Sequence, residues 1–196
     1  AANNNLVVAG KDVGSYEATV YRGTACPSLP STYADCHNFN PSGGTDNTYG
    51  MTVLNSADLK LDLQWAQPWG AVSTDYDFFA LDATNGKVLA SSLRVQATTQ
   101  EPFEYIGWPN RTGSDKAVNV VVARRSGAPV RFKFVHMQNA AQGISTVDYS
   151  VSSGTDGVGP EIFGPNGAAN AISTPAVSCT AAPAPRYYSS RAPASR

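Results

Sequence analysis

The stretch that decides the fold is LKLDLQWAQPWGAVSTDYDFFALDATNGKVLASS, residues 59–92. In its first seven residues, leucines alternate with Lys60, Asp62 and Gln64, so an extended chain has one apolar face and one polar face. This period of two predicts a half-buried β-strand. The strand ends at Trp65, which we expect to be buried.

Strand-like runs continue on both sides of this first strand. Asn85-Gly86 lies between ALDAT and KVLASS and predicts a tight hairpin, with left-handed backbone supplied by these two residues. Seven runs rich in β-branched and aromatic residues follow one another between turn-forming residues, which predicts a mainly β fold, an antiparallel jelly-roll-like sandwich. The runs are GMTVL, LKLDLQW, DYDFFALDA, KVLASS, PFEYIGW, AVNVVVARR and PVRFKFVHM.

The composition changes along the chain and predicts its organisation. We expect the sandwich to occupy residues 48–138. A flank over residues 1–24 carries short strand-like runs, and the Ser-, Pro-, Asn- and Gly-rich segment 25–47 predicts a loop. Residues 139–160 have the composition of a linker, and residues 161–196 form a second flank whose Pro/Ala/Ser-rich end we expect to be poorly ordered.

Charge excludes several classes of partner. Only 15% of the 196 residues are charged, the net charge is −1, and most basic residues are scattered. Nucleic acids and anionic membranes attract basic patches, so we expect neither as a partner. No apolar run approaches the roughly 20 residues that cross a bilayer.

Three cysteines are too few for a disulfide-dense scaffold. Cys26 and Cys36 bracket the loop CPSLPSTYADC, which a disulfide could close or which could remain open. Cys179 would have no partner in the closed form, which weakens any conclusion about the redox compartment.

The central block resembles the prepeptidase-like sandwich domains of secreted bacterial hydrolases, over roughly residues 48–138. The flanks resemble a subtilisin-like serine protease, a subtilase, interrupted by such a sandwich. VVAGKD (7–12) is similar to the segment of that family that carries the oxyanion-hole asparagine. IFGPNGAANAIS (162–173) is similar to the segment leading to a core strand, and YYSSRAP (187–193) to the Phe-Ser-Ser-Arg-Gly-Pro motif. The resemblance implies a secreted, extracellular location and flanks that belong to an α/β catalytic domain.

The chain departs from that family at the residues that carry catalysis. Lys11 stands where the family has the oxyanion asparagine, and loss of one such donor costs on the order of a hundredfold in turnover. The family's Gly-Thr-Ser motif is absent, and its Asp and His segments would precede Ala1. TPAV (174–177) and Ala192 replace residues that are usually glycine. The resemblance therefore implies no catalytic residue in this chain.

A self-contained serine hydrolase would need a base, and the only two histidines are His37 and His136. No Gly-x-Ser-x-Gly elbow accompanies them. We therefore do not expect a Ser-His-Asp site.

Two sets of side chains are candidates for binding. Asp75, Asp77 and Asp82 lie near one hairpin, and carboxylates of this kind can hold calcium, the one cofactor that the sequence suggests. The alternative is that Asp75 and Asp77 share an exposed strand face while Asp82 and Asn85 shape the turn.

An aromatic platform for a sugar or a peptide could form from Trp65, Trp69, Tyr76, Tyr105 and Trp108, of which Trp69, Tyr76 and Trp108 are the candidate binding residues. The alternative is that these rings simply pack in the core or at its rim. Asn110-Arg111-Thr112 is a formal glycosylation sequon.

The sequence thus predicts a non-catalytic accessory sandwich of a secreted subtilase, or a degenerate relative. Its partner would be the rest of a subtilase catalytic domain, whose activity is peptide-bond hydrolysis. The alternative is a stand-alone sandwich module that binds a protein or polysaccharide surface.

Overall fold

The computed structural model describes residues 6–137 and 143–159, which form fourteen β-strands and one short helix. All strand pairs are antiparallel. No helix in these ranges has the length and apolar character to cross a membrane. The elements are β1 (Val7–Val8), β2 (Lys11–Asp12), β3 (Ser15–Ala18), β4 (Gly23–Thr24), β5 (Asp35–His37), β6 (Tyr49–Val53), β7 (Asp58–Trp65), β8 (Asp75–Asp82), β9 (Val88–Ser92), α1 (Gln96–Thr99), β10 (Phe103–Pro109), β11 (Lys116–Ser126), β12 (Phe132–His136), β13 (Ile144–Val147) and β14 (Asp156–Gly159).

Two sheets form the predicted sandwich. The first sheet has the order β10-β7-β12-β3-β14. In the second sheet, β11 is the central strand: one of its edges pairs first with β6 and then with β5, and its other edge pairs with β8. The outer strands are β13, which pairs with β6, β4, which pairs with β5, and β9, which pairs with β8. Consecutive strands often cross between the sheets, which gives the jelly-roll-like topology expected from the sequence.

The alternation of apolar and polar residues in β7 shows which face of the first sheet packs on the core. Leu59, Leu61 and Leu63 are fully buried between the sheets, and Trp65 is buried at the strand end, as predicted. Phe134 of β12 lies opposite Leu63 and is also buried. The period-two pattern therefore gives both the strand and its core face.

Strand β8 is buried on both faces. Its residues Tyr76 and Phe78 belong to the main core, whereas Phe79 and Leu81 belong to a second, smaller cluster on the opposite face. Leu29 and other residues of the loop between Cys26 and Cys36 pack against that second cluster, so the loop covers the outer face of the second sheet. The composition of this segment predicted a loop but not the surface that it covers.

The predicted hairpin joins β8 and β9, with a looser turn than expected. The backbone N–H of Asp82 donates to the carbonyl of Lys87 at 2.8 Å, so four residues form the loop. Gly86 has a φ of 72°, but Asn85 does not have a positive φ. Only the glycine therefore takes the left-handed conformation that the sequence predicted at this turn.

The sandwich extends beyond its predicted boundaries. In the segment assigned to the first flank, β3 lies inside the first sheet, between β12 and β14. Leu6 and Val8 are buried in the same core, and β1 pairs with β2 as an antiparallel hairpin. The segment 139–160, predicted as a linker, carries β13 and β14, because its apolar residues find partners at the two sheet edges. The second flank, 161–196, lies outside the described residues.

Candidate functional site

Two clusters of polar side chains in the sandwich have the same chemistry and frame the candidate site residues. The inner cluster lies at one end of the space between the sheets and consists of Tyr16, Arg22, His37 and Asp156. The outer cluster lies on the outer face of the second sheet and consists of Tyr33, Asp75, Asp77 and Arg125. Each joins an aspartate, an arginine and a tyrosine.

In the inner cluster, Asp156 accepts a bond at both carboxylate oxygens. Arg22 donates to Oδ1 at 2.8 Å and to Oδ2 at 2.6 Å, and the Tyr16 hydroxyl donates to Oδ2 at 2.6 Å. This bidentate geometry is the strong form of an arginine–carboxylate pair. The cluster ties β14 to β3 and to the residues before β4.

His37 completes the inner cluster as a neutral ring. The backbone N–H of Arg22 donates to Nδ1 at 3.3 Å, so the ring proton resides on Nε2, which donates to the Tyr16 oxygen at 3.2 Å. Burial, followed by the Arg22 charge, lowers the pKa of His37 to about 3. This imidazole is inaccessible to a substrate and is too weakly basic to take up a proton near neutral pH.

His136 is also fully buried, at the end of β12. Burial lowers its pKa to about 3. Both histidines that the sequence offered as bases for a hydrolase therefore lie inside the sandwich.

The outer cluster is less completely bonded. The Tyr33 hydroxyl and the Arg125 guanidinium both donate to Oδ2 of Asp77 at 2.7 Å, and Arg125 lies 5.4 Å from the centre of the Tyr33 ring. Oδ1 of Asp77 and Oδ1 of Asp75 are buried and have no hydrogen-bond partner. Burial, and then the Asp77 charge, raise the pKa of Asp75 to about 6.

Asp75 and Asp77 do share one face of β8, but the expectation that this face is exposed is wrong. Asp77 is fully buried and Asp75 nearly so, because the loop between Cys26 and Cys36 covers the face. No local pattern in the sequence reveals this cover.

The three aspartates considered for calcium do not meet. Asp75 and Asp82 stand at opposite ends of β8, about 23 Å apart at the usual rise of a strand. Asp82 instead binds the backbone N–H of Thr84 at 2.9 Å and Lys116 at 2.7 Å, so it shapes the turn. Within residues 6–137 and 143–159, no group of three or more His, Cys, Asp or Glu side chains is placed to hold a metal ion.

The three aromatic residues considered for a platform are separated. Tyr76 is fully buried, its ring lies against Trp65, and its hydroxyl donates to the Val130 carbonyl at 2.9 Å. Trp108 is partly buried against the core. Trp69 alone of the three is largely exposed, at 59%.

Lys11, which the sequence resemblance aligned with an oxyanion asparagine, is exposed in β2. Its ammonium group donates to the Ser150 hydroxyl at 3.3 Å. It lies on the two-stranded β1–β2 hairpin.

The disulfide that the sequence left open is formed. Cys26 and Cys36 are bonded, with Cα atoms 4.8 Å apart. Such a bond is typical of proteins outside the reducing cytosol, which is consistent with an extracellular location. Cys179 lies outside the described residues.

The sequon at Asn110 has a structural role. Its side-chain amide donates to the carbonyls of Val53, Leu54 and Ser114, at 3.0, 3.1 and 2.9 Å. Its oxygen accepts from the Thr112 hydroxyl at 2.8 Å. A fully buried amide with these bonds is not presented for glycosylation.

Sequence reasoning missed the inner cluster entirely. Arg22 and Asp156 are 134 positions apart, so no spacing brings them together before the sheets form. Single Tyr, Arg, His and Asp residues carry no signal of their own in a chain of this composition.

The sequence matches no protein-family model and no curated protein.

Proposed function

We propose that this sandwich is a non-catalytic accessory domain inserted into the chain of a secreted subtilisin-like serine protease. The proposal rests on one observation: β3 and β14, the first and last strands of the first sheet in chain order, bring the two ends of the described sandwich close together. Ser15 of β3 is the register partner of Gly159 of β14, and the Ser15 hydroxyl donates to the Gly159 carbonyl at 3.2 Å.

The segment before β3 folds back on itself, so Leu6 stays near the start of β3. The backbone N–H of Val13 donates to the Leu6 carbonyl at 2.8 Å, so the hairpin returns the chain toward the start of β3. A domain whose two ends are neighbours can be inserted between two residues of a host without separating them. The geometry suits an insertion, and IFGPNGAANAIS (162–173) and YYSSRAP (187–193) supply the resemblance to the host.

The buried histidines support the non-catalytic part of the proposal. A triad needs a nucleophile, a base within hydrogen-bond reach and room for a substrate. His37 and His136 are fully buried and their pKa values are about 3, so neither can serve as that base. Peptide-bond hydrolysis would belong to the host domain.

The first test is labelling of the purified chain by a fluorophosphonate probe, together with casein hydrolysis and an active subtilisin as control. We expect neither labelling nor hydrolysis from chain that circular dichroism shows to be folded. Labelling that His37→Ala or His136→Ala abolishes would overturn the proposal.

The second test inserts residues 6–159 into an exposed loop of an active subtilisin. We expect the host to keep its activity on casein, because the two ends of the insert are close together. The control is an insert of the same length rich in Gly and Ser. A chimera that is less active than this control would show that the ends do not fit an insertion.

A further inference from the structure

Most exposed apolar side chains of the described residues lie in one region. Six large apolar residues are exposed, and four of them lie on the β7–β8 loop, on the connection from β9 to α1, and on β10. We call these four the seam patch: Trp69, Leu93, Val95 and Tyr105.

Hydrogen bonds join the three segments that carry the seam patch. The backbone N–H of Gly70, next to Trp69, donates to the Gln100 carbonyl at 2.8 Å, which links the β7–β8 loop to the end of α1. The backbone N–H of Tyr105 donates to the hydroxyl of Ser92, next to Leu93, at 3.4 Å. Exposed apolar residues on adjoining segments of a rigid scaffold mark an interaction surface.

The loop that presents Trp69 is held by glutamine side chains. The Gln67 amide oxygen accepts from the backbone N–H groups of Ser73 and Thr74, at 3.2 and 3.0 Å. The Gln100 amide oxygen accepts from the backbone N–H of Val72 at 2.9 Å. Because the loop is fixed before a ligand arrives, binding by Trp69 loses little conformational entropy.

The two segments nearest Trp69 carry almost no charge. Residues 66–74 contain no charged side chain, and residues 91–101 contain only Arg94 and Glu101, which pair with each other. The surface between them offers uncharged hydroxyls, including the exposed Ser91 and Thr98. An exposed flat ring beside uncharged hydrogen-bonding groups complements a sugar, whose C–H face is apolar and whose rim carries hydroxyls.

We propose that the seam patch binds an uncharged polysaccharide, with a sugar ring stacked on the Trp69 indole. Tyr105 exposes a further aromatic ring on β10, near the carboxylates of Asp58 and Asp62. The neutral surface disfavours polyanions and anionic membranes as ligands. This inference does not depend on the proposed insertion in a protease.

The test measures depletion of the full chain from solution by suspended cellulose, chitin, starch granules and xylan, at low salt and at 0.5 M NaCl. We expect saturable binding to at least one of them that survives high salt. Truncation of a central aromatic anchor commonly removes a large share of the binding energy, so Trp69→Ala should weaken binding at least about thirtyfold. Tyr105→Ala should weaken it less.

Val151→Ala is the matched control, because Val151 is as exposed as Trp69 but lies outside the seam patch. We expect it to bind like the wild type. Absence of binding to all four polysaccharides by folded chain would overturn the proposal, and so would equal binding by Trp69→Ala. Binding of denatured casein that depends on Trp69, without binding of polysaccharide, would assign the patch to a protein ligand instead. The fluorophosphonate test remains separate from all these outcomes.

Discussion

The inner and outer clusters use the same three residue types with different results. In the inner cluster, Asp156 is bonded at both oxygens by Arg22 and Tyr16. In the outer cluster, Arg125 and Tyr33 both bind one oxygen of Asp77 and leave the other without a partner.

The difference comes from what each cluster joins. In the inner cluster, Tyr16 and Asp156 lie on the neighbouring strands β3 and β14, and Arg22 follows β3 closely, so a bidentate geometry can form. The outer cluster connects the second sheet to a covering loop, which a disulfide and a few side chains hold in place. The same chemical groups therefore connect elements of the sandwich in one place and fasten a covering loop in the other, where carboxylate oxygens are left unsatisfied.

The largest expected effect is in the inner cluster. Removing one partner of a buried ion pair leaves the other charge uncompensated, which costs about 3–5 kcal/mol. We therefore expect Asp156→Asn to lower the free energy of unfolding by about 3 kcal/mol, as measured by urea denaturation. Hydrogen exchange should show β14 losing protection before β7 does. A loss below about 1 kcal/mol would remove the distinction between the clusters.

The next effect concerns the cover of the outer cluster. Cys26→Ser with Cys36→Ser opens a short loop, and loss of a native disulfide closing such a loop typically costs about 2–3 kcal/mol. We expect a loss of this size, with faster hydrogen exchange at the backbone amides of Phe79 and Leu81. If these amides keep their protection while β14 loses its own, the bridge does not hold the cover.

A smaller effect distinguishes the clusters by pH. The folded-state pKa of Asp75 is raised to about 6, so the folded protein holds its proton more tightly than the unfolded chain does. The resulting stability is present below pH 4 and is lost as the pH rises through 6. Asp75→Asn should remove about 1 kcal/mol of the decline between pH 5 and pH 8.

Thermal unfolding across that pH range measures this effect. Burial raises the pKa of Glu104 to about 7, so a remaining decline near neutral pH is expected in the Asp75→Asn chain. An unchanged pH profile after the substitution would mean that Asp75 is better solvated than its burial indicates.

The smallest expected change in stability comes from an exposed ion pair. Arg111 and Asp58 form an ion pair at 2.8 Å with both side chains substantially exposed. Exposed pairs contribute about 0–1 kcal/mol, so Asp58→Asn should change stability by less than about 0.5 kcal/mol. A loss comparable with that of Asp156→Asn would contradict the view that burial separates these ion pairs.

Local sequence patterns were enough to predict the individual elements. Alternation in β7, the aromatic and β-branched run of β8 and the glycine turn at Gly86 predicted the strands, the hairpin and the antiparallel sandwich, because period and turn chemistry act over a few residues. The sequence also determined that Cys26 and Cys36 were close enough in the chain to be joined.

Contacts between distant parts of the chain set which residues belong to the sandwich and which side chains are exposed to a ligand. β3 and β14 pair across most of the chain, Tyr76 and Asp77 are covered from opposite sides, and Trp69 remains exposed. These outcomes depend on contacts between residues far apart in sequence. A strand pattern states which face is apolar, but it does not state what will cover the other face.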